Sequence, residues 1–117
     1  MGVDDSFGGT VRRLRETREI SLRQLAQRVG MSPTYLSKVE RNDFKPPSEE
    51  KIRAIAQALD QDTDELLALA GRVSSDLAEI IQRRPRRMAA FLRTVNGLPD
   101  EAVQRIAEEI QRKRKET

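Results

Sequence analysis

The chain has 117 residues, of which 22 are lysine or arginine and 19 are aspartate or glutamate, giving a formal net charge of +3. This length suits one domain, or one small domain with an appendage. The sequence contains no cysteine and no histidine, which excludes disulfides and thiolate metal sites and removes the commonest general base and the commonest zinc ligand.

Apolar residues recur at spacings of three and four along the chain and nowhere alternate over the length of a strand, so the sequence predicts an all-α fold. A first helix begins around Val11 and ends near Glu19. Ser21 caps a second helix, with Gln24 three residues later as its capping-box partner. Gly30 ends that helix, because glycine suits the left-handed conformation that follows a helix end.

A third helix follows after a turn of only two residues. Ser32 is its predicted N-cap and Pro33 its first residue, where the missing N–H costs nothing. Ser48 and Asp62 then cap a fourth and a fifth helix, and Gly71 closes the fifth. The sequence therefore predicts five short helices between the first residues and Gly71.

The rest of the chain predicts two or three further helices, the first of them capped by Ser75. Ten apolar residues recur there at helical spacing: Leu77, Ile80, Ile81, Met88, Phe91, Leu92, Val95, Val103, Ile106 and Ile110. This is too much apolar surface to leave in water and too few residues to build a core alone. We therefore expect residues 72–117 to form a helical segment for dimerisation or for binding a partner protein. The alternative is that this segment folds back onto its own domain.

The second and third helices, over about residues 21–41, have the arrangement of a helix-turn-helix. The outer face of the third helix carries hydrogen-bond donors from Thr34, Ser37, Lys38 and Arg41. A polar outer face alone is ordinary for a surface helix. Together with the tight glycine turn and the two caps, it favours a helix that enters the major groove of DNA.

Charge is segregated along the chain in a way that supports this interpretation. The segment from Val11 to Lys45 has nine basic and four acidic residues, a balance of +5, whereas Pro46 to Ala70 has two basic and six acidic residues, a balance of −4. A molecule with one cationic face suits binding to nucleic acid.

The residue types present argue against an enzyme. The sequence has no glycine loop or strand turn beside which carboxylates, or a serine and a lysine, come together as they would in a catalytic site. We expect no catalytic residue, no metal site and no cofactor. No apolar run approaches the roughly 18 residues needed to span a bilayer, and no signal-peptide pattern opens the chain. We therefore expect a cytoplasmic, nucleoid-associated protein without membrane contact.

Three stretches resemble the XRE family of phage-repressor and Cro-like regulators: SLRQLAQRVG from Ser21, SPTYLSKVER from Ser32 and IRAIAQAL from Ile52. The resemblance covers about residues 9–71 and is specific, since spacing and residue type agree across four helices. It leaves residues 1–8 as a flexible N-terminus.

The resemblance implies a five-helix, lambda-repressor-like DNA-binding domain followed by the C-terminal extension. It also implies a dimer on a palindromic operator in double-stranded DNA, with the third helix (about residues 33–41) in the major groove. By the same resemblance, bases are contacted by Pro33, Thr34, Ser37 and Lys38, and the DNA backbone by Leu22, Arg23, Ser32, Arg41, Asn42 and Lys45. Two positions depart from the family pattern, with Leu22 in place of a common glutamine and Glu19 in place of a common glycine.

Two charges of opposite sign lie on apolar helix faces. Arg15 follows Val11 by four residues, and Glu40 follows Leu36 by four. Buried charges must be paired, and the family pairs these two positions. We therefore expect a structural salt bridge between Arg15 and Glu40 that fixes the angle of the third helix.

The function that fits best is a sequence-specific transcription regulator, more often a repressor in small members of the family. Two alternatives rest on the C-terminal helices. The chain could be an antitoxin whose tail masks a toxin, or a regulator whose tail is the target of a partner protease.

Overall fold

The computed structural model describes residues 4–116, and all regular secondary structure in that range is helical, which confirms the predicted all-α class. The helices are α1 (Phe7–Thr17), α2 (Leu22–Val29), α3 (Pro33–Glu40), α4 (Glu49–Ala58), α5 (Thr63–Leu69), α6 (Ser75–Arg83), α7 (Pro85–Val95) and α8 (Asp100–Glu116). The chain divides into two compact units, an N-terminal unit that ends at Ser75 and a C-terminal unit that begins at Asp76. None of the helices between residues 4 and 116 is long and apolar enough to cross a membrane.

The N-terminal unit contains a hydrophobic core to which α1 through α5 all contribute. In this unit α1 packs against α3, α2 packs against α3 and α4, and α4 packs against α5. The buried apolar side chains are Phe7, Val11, Leu25, Ala26, Val29, Leu36, Val39, Ile52, Ile55, Ala56, Leu59, Leu66 and Leu67. The apolar stripes predicted on the separate helices therefore meet in one core.

The first helix begins earlier than its apolar spacing indicates. It begins at Phe7, four residues before Val11, and the Ser6 side chain caps it. Phe7 belongs to the core and is only 4% exposed. The prediction of a flexible segment over residues 1–8 is therefore wrong for its last two residues, and residues 1–3 lie outside the described range.

Gly8 explains why α1 can lie so close to α3. A Cβ atom at this position would overlap the carbonyl oxygen of Val39 and would lie 2.7 Å from that of Glu40. Glycine is a poor helix former in isolation, so propensity alone does not indicate a helix here. The packing of α1 against α3 outweighs that local preference.

The predicted caps are present at the starts of the next helices. The Ser21 N–H donates to Gln24 Oε1 (2.8 Å), and the Gln24 N–H donates to Ser21 Oγ (3.1 Å), which completes the capping box. Ser32 Oγ accepts from the Tyr35 N–H at 3.1 Å, with Pro33 as the first helical residue. The caps of α4 and α5 are, as predicted, Ser48 and Asp62.

All five helices of the N-terminal unit end in one backbone motif. A residue with positive φ follows the helix, and the next N–H donates to the carbonyl five residues earlier at 2.8–3.0 Å. The residues with positive φ are Glu19, Gly30, Asn42, Asp60 and Gly71. The sequence indicates this motif only at the two glycines. Glu19 adopts the left-handed conformation (φ 56°) although it bears a side chain.

The C-terminal unit differs from the N-terminal one in its burial. No residue of α6, α7 or α8 within the described range is buried. Ser75 is the first residue of α6 and not its N-cap as predicted. Within the N-terminal unit, the N–H and the hydroxyl of Ser75 both donate to the Glu49 carboxylate, at 3.2 and 3.0 Å.

Candidate nucleic-acid interface

The turn between α2 and α3 is held by a lysine from another helix. Lys51 Nζ donates to the carbonyl oxygens of Val29 and Gly30 at 3.1 and 3.2 Å. These carbonyls lie at the end of α2, where a cation is favoured by the helix dipole. Sequence reasoning missed this contact, because Lys51 is more than twenty residues away and its ordinary place in α4 gives no signal.

A buried ion pair links α1 to α3. Arg15 Nε donates to Glu40 Oε2 at 2.8 Å and Arg15 Nη2 donates to Glu40 Oε1 at 3.0 Å. The two side chains are 12% and 4% exposed, and Arg15 Nη1 donates to the carbonyl of Ile20 at 3.0 Å. The hydrogen bond with Glu40 is also the chief reason that the pKa of Arg15 is raised above its ordinary value. Such a two-point charge-assisted contact fixes geometry as well as charge balance.

The opposite face of α3 is polar and open. Pro33 and Thr34 are exposed, and Ser37 and Lys38 are half-buried. Residues three and four apart on a helix are neighbours, so Thr34, Ser37 and Lys38 form one continuous stripe. The residues that the resemblance assigns to base contact thus lie together, on the face of α3 that does not enter the core.

The residues assigned to the DNA backbone fall into two groups. Those with exposed side chains are Arg23, Ser32, Arg41, Asn42 and Lys45. Leu22 is partly buried against the core, so only its backbone N–H, in the first turn of α2, is suited to an anion. Arg41 Nε lies 3.3 Å from Asp43 Oδ2 in an exposed ion pair, which is weak enough to exchange for another anion.

Asn42 has a structural role that the sequence did not indicate. Its Oδ1 accepts from the Gly8 N–H at 3.3 Å, and its Nδ2 donates to Ser6 Oγ at 2.9 Å. The side-chain amide therefore ties the first turn of α1 to the loop after α3. A phosphate contact through this amide would compete with those two hydrogen bonds, so its assignment to the DNA backbone stays a prediction.

A depression of about 260 Å³ lies beside the buried ion pair and is lined by Arg12, Arg15, Leu22, Ser37, Glu40 and Arg41. Two of its arginines, Arg12 and Arg41, are exposed. Arg12 Nε donates to Glu16 Oε1 at 2.9 Å, and this hydrogen bond is the chief reason that the pKa of Glu16 is lowered. The depression offers an anion two exposed guanidinium groups and the hydroxyl of Ser37. Sequence reasoning did not single out Arg12, whose only signal was its place in the basic segment.

Comparison with known proteins agrees with this geometry. A family model described as a helix-turn-helix domain matches residues 6–69. An uncharacterised HTH-type transcriptional regulator of Mycobacterium tuberculosis is 44% identical over 64 residues, which make up 55% of this chain and 45% of that protein. The chain spans about half the length of the curated relatives it matches.

Two solved structures are similar in fold. The N-terminal DNA-binding domain of SinR from Bacillus subtilis is 30% identical, covers 54% of this chain and 91% of that one, and gives a TM-score of 0.50. The clp gene regulator ClgR from Corynebacterium glutamicum is 25% identical, covers 82% of this chain and 96% of that one, and gives a TM-score of 0.51. Because the matched residues include α1 through α5, the chain belongs to the XRE family of helix-turn-helix transcriptional regulators.

Proposed function

We propose that this chain binds double-stranded DNA as a sequence-specific transcription regulator, and that it acts as a repressor with α3 in the major groove. The observation that carries the proposal is the construction of α3. One face is held against α1 by the Arg15–Glu40 pair, and the opposite face carries the exposed Thr34 and the half-buried Ser37 and Lys38 outside the core. Membership of the family and likeness to the SinR DNA-binding domain support it.

The side chains on this face of α3 are suited to different contacts with the base edges. The ammonium of Lys38 can donate to O6 or N7 of a guanine. Thr34 offers a hydroxyl to a base and a methyl group to a thymine. Pro33 has no N–H, so its contact is apolar. Each good contact of this kind discriminates against the wrong base by about 1–3 kcal/mol.

Cationic residues around the stripe would supply the affinity that does not depend on sequence. Arg23, Arg41 and Lys45 are exposed on the segments that flank α3, and Arg12 adds a guanidinium at the depression next to the ion pair. We infer about 3–5 phosphate contacts per protomer, and each contact steepens the dependence of affinity on salt.

We further propose that the C-terminal unit makes the protein a dimer. The apolar side chains of this unit that are about 40% or more exposed are Leu77, Ile80, Phe91, Leu92, Leu98, Val103 and Ile110. One recognition helix contacts only a few base pairs, and a second copy set about 34 Å away doubles the sequence that is recognised. Packing these faces across a two-fold axis would bury them and match the symmetry of a palindromic site.

Selection from a pool of random duplexes tests the proposal. The expected result is enrichment of an inverted repeat whose half-sites are centred about one helical turn apart. A variant with Thr34, Ser37 and Lys38 all changed to alanine should enrich nothing, whereas Lys113→Ala, a matched loss of a lysine from α8, should enrich the same repeat. Failure of the wild-type protein to enrich any sequence would exclude sequence-specific binding.

The regulatory direction needs a separate measurement. A promoter that contains the enriched repeat and drives a reporter should be silenced when the protein is supplied in the same cells. Increased expression would overturn the repressor assignment while leaving DNA binding intact.

A further inference from the structure

Three side chains form a cluster at the edge of α3, which we call the aromatic cluster: Tyr35, Lys38 and Phe44. The rings of Tyr35 and Phe44 have centroids 5.6 Å apart and are tilted by 47°. Lys38 Nζ lies 5.0 Å from the centroid of the Phe44 ring, within the range of a cation–π contact. The two rings are 38% and 44% exposed. Packing of the core therefore does not account for the position of Phe44.

The backbone after α3 places Phe44 over Lys38. Asn42 has φ of 63°, and this left-handed residue turns the chain back along the helix. The N–H groups of Asp43 and Phe44 both donate to the carbonyl oxygen of Lys38, at 2.9 and 3.3 Å. The loop is thus anchored to the same residue whose side chain the ring contacts. Because of these two backbone hydrogen bonds, the fold itself places the Phe44 ring beside Lys38.

The contact matters because lysine is a flexible side chain. A free lysine must lose rotamer freedom when it contacts a base edge, and this loss weakens the interaction. An ammonium held over a ring has lost part of that freedom before DNA arrives. The ring covers one side of the ammonium, which has three N–H donors, and leaves its other side for an acceptor.

We propose that Phe44 is a specificity-determining positioning residue, which holds the Lys38 ammonium on its ring so that the lysine meets the base already ordered. This inference rests on the proposed function, in which Lys38 contacts a base. In this proposal Phe44 acts by positioning Lys38 and does not itself contact DNA. Insertion of Phe44 between bases, or its packing on a thymine methyl group, is the competing explanation.

The contact itself can be tested without DNA. The ε-methylene protons of a lysine held over a ring are shifted upfield in proton NMR spectra. We expect this shift for Lys38, its loss in Phe44→Leu and its retention in Phe44→Tyr, with the signal of Lys113 unchanged throughout. An unshifted Lys38 signal in the wild-type protein would overturn the proposal.

The functional role is tested by a double-mutant cycle on the full chain, with the operator enriched by the wild-type protein. Phe44→Leu should weaken binding by about two- to five-fold, as expected for an exposed cation–π contact. The loss should fall at the base pair that Lys38 contacts and be absent on random duplex. In a Lys38→Met background the same change should cost less than about 1.5-fold, because the two effects share one interaction.

Each other outcome is informative. An equal loss from Phe44→Leu in both backgrounds would show that Phe44 acts independently of Lys38, which overturns the positioning role. If the wild-type protein enriches no operator, the proposed function fails and this inference fails with it. An enriched operator without coupling between the two residues removes only the inference.

Discussion

Arg15 and Glu40 are joined by two hydrogen bonds of 2.8 and 3.0 Å across the interface between α1 and α3. Both side chains are almost withdrawn from water. The cost of burying the two charges is offset only while both are present, because either one alone would be an unpaired charge in the interior. The intact pair therefore adds little to the stability of the fold. Replacing only one of its two residues, however, should destabilise the protein strongly.

Glu40→Gln should lower the free energy of unfolding by about 3–5 kcal/mol, since it removes the carboxylate hydrogen-bonded to the buried Arg15 guanidinium and leaves only the more distant, exposed Glu16 at 3.9 Å. Urea denaturation measures this change. Glu109→Gln is the matched control, because Glu109 is exposed in its pair with Lys113 on α8, and its loss should leave stability nearly unchanged. An unchanged melting temperature for Glu40→Gln would refute a structural role for the pair. The pKa of Arg15 is raised, chiefly by its hydrogen bond with Glu40, so Arg15 is charged at neutral pH and its contribution to stability is lost only as the pH rises into strong alkali.

Glu19→Gly should stabilise the protein. Glu19 has φ of 56°, a conformation that costs an ordinary residue roughly 1–2 kcal/mol and glycine almost nothing. The greater freedom of glycine in the unfolded chain offsets part of this gain, so we expect an increase below about 1 kcal/mol. Arg18→Gly, at the neighbouring position with φ of −89°, should instead destabilise the protein. A lower melting temperature for Glu19→Gly would contradict the backbone geometry described for α1.

Gly8→Ala distinguishes helix propensity from packing. Propensity favours alanine inside a helix by about 1 kcal/mol. The added methyl group would collide with backbone carbonyls of α3 at Val39 and Glu40, which cannot rotate away as a side chain can. We expect a net loss of about 1–3 kcal/mol, the usual cost of overpacking, in thermal denaturation. A more stable Gly8→Ala variant would mean that α1 and α3 are further apart than described.

Affinity for duplex DNA should fall steeply with salt, because each neutralised phosphate releases counterions. With about 3–5 contacts per protomer, the logarithm of the binding constant should fall with the logarithm of salt concentration at a slope of about −2.7 to −4.5 per protomer. Arg12→Gln should make this slope shallower by about 0.9, and Arg105→Gln in α8 should leave it unchanged. A binding constant that did not change with salt concentration between roughly 50 and 200 mM would exclude phosphate neutralisation.

A chain shortened to end after Ser75 should remain folded, because every residue of the buried apolar core within the described range belongs to the N-terminal unit. It should sediment as a monomer and lose most of its affinity for the full operator, while still binding a half-site weakly. The cut after Ser75 keeps the two hydrogen bonds that Ser75 donates to the Glu49 carboxylate. A shortened chain that still sediments as a dimer would refute the role of the C-terminal unit.

Sequence alone predicts those features of the fold whose causes are local. The caps at Ser21, Ser32 and Ser48 can be predicted because the hydrogen-bond partner of each lies within three residues. The start of α1 is not predicted, because the low helix propensity of Gly8 is offset by the packing of α1 against α3, which is a long-range contact. The contact of Lys51 and the structural role of Asn42 are not predicted for a related reason, since their hydrogen-bond partners lie 21 to 36 residues away in the chain.

The candidate interface shows the same limit. The stripe on α3 follows from helical spacing, and so does the inward placement of Arg15 and Glu40. The aromatic cluster does not, because its geometry depends on a left-handed residue at Asn42 that only the folded chain reveals. Spacing thus identifies which face of a helix carries the polar residues, but not how a neighbouring loop orders them.

Tyr35 is the only tyrosine of the chain, which has no tryptophan. The ultraviolet emission of the native protein therefore comes chiefly from a single ring, and that ring lies on α3 against Phe44. Quenching or polarisation of this emission would report the surroundings of α3 without any dye or label. The protein thus contains its own spectroscopic probe at the surface where we propose that DNA binds.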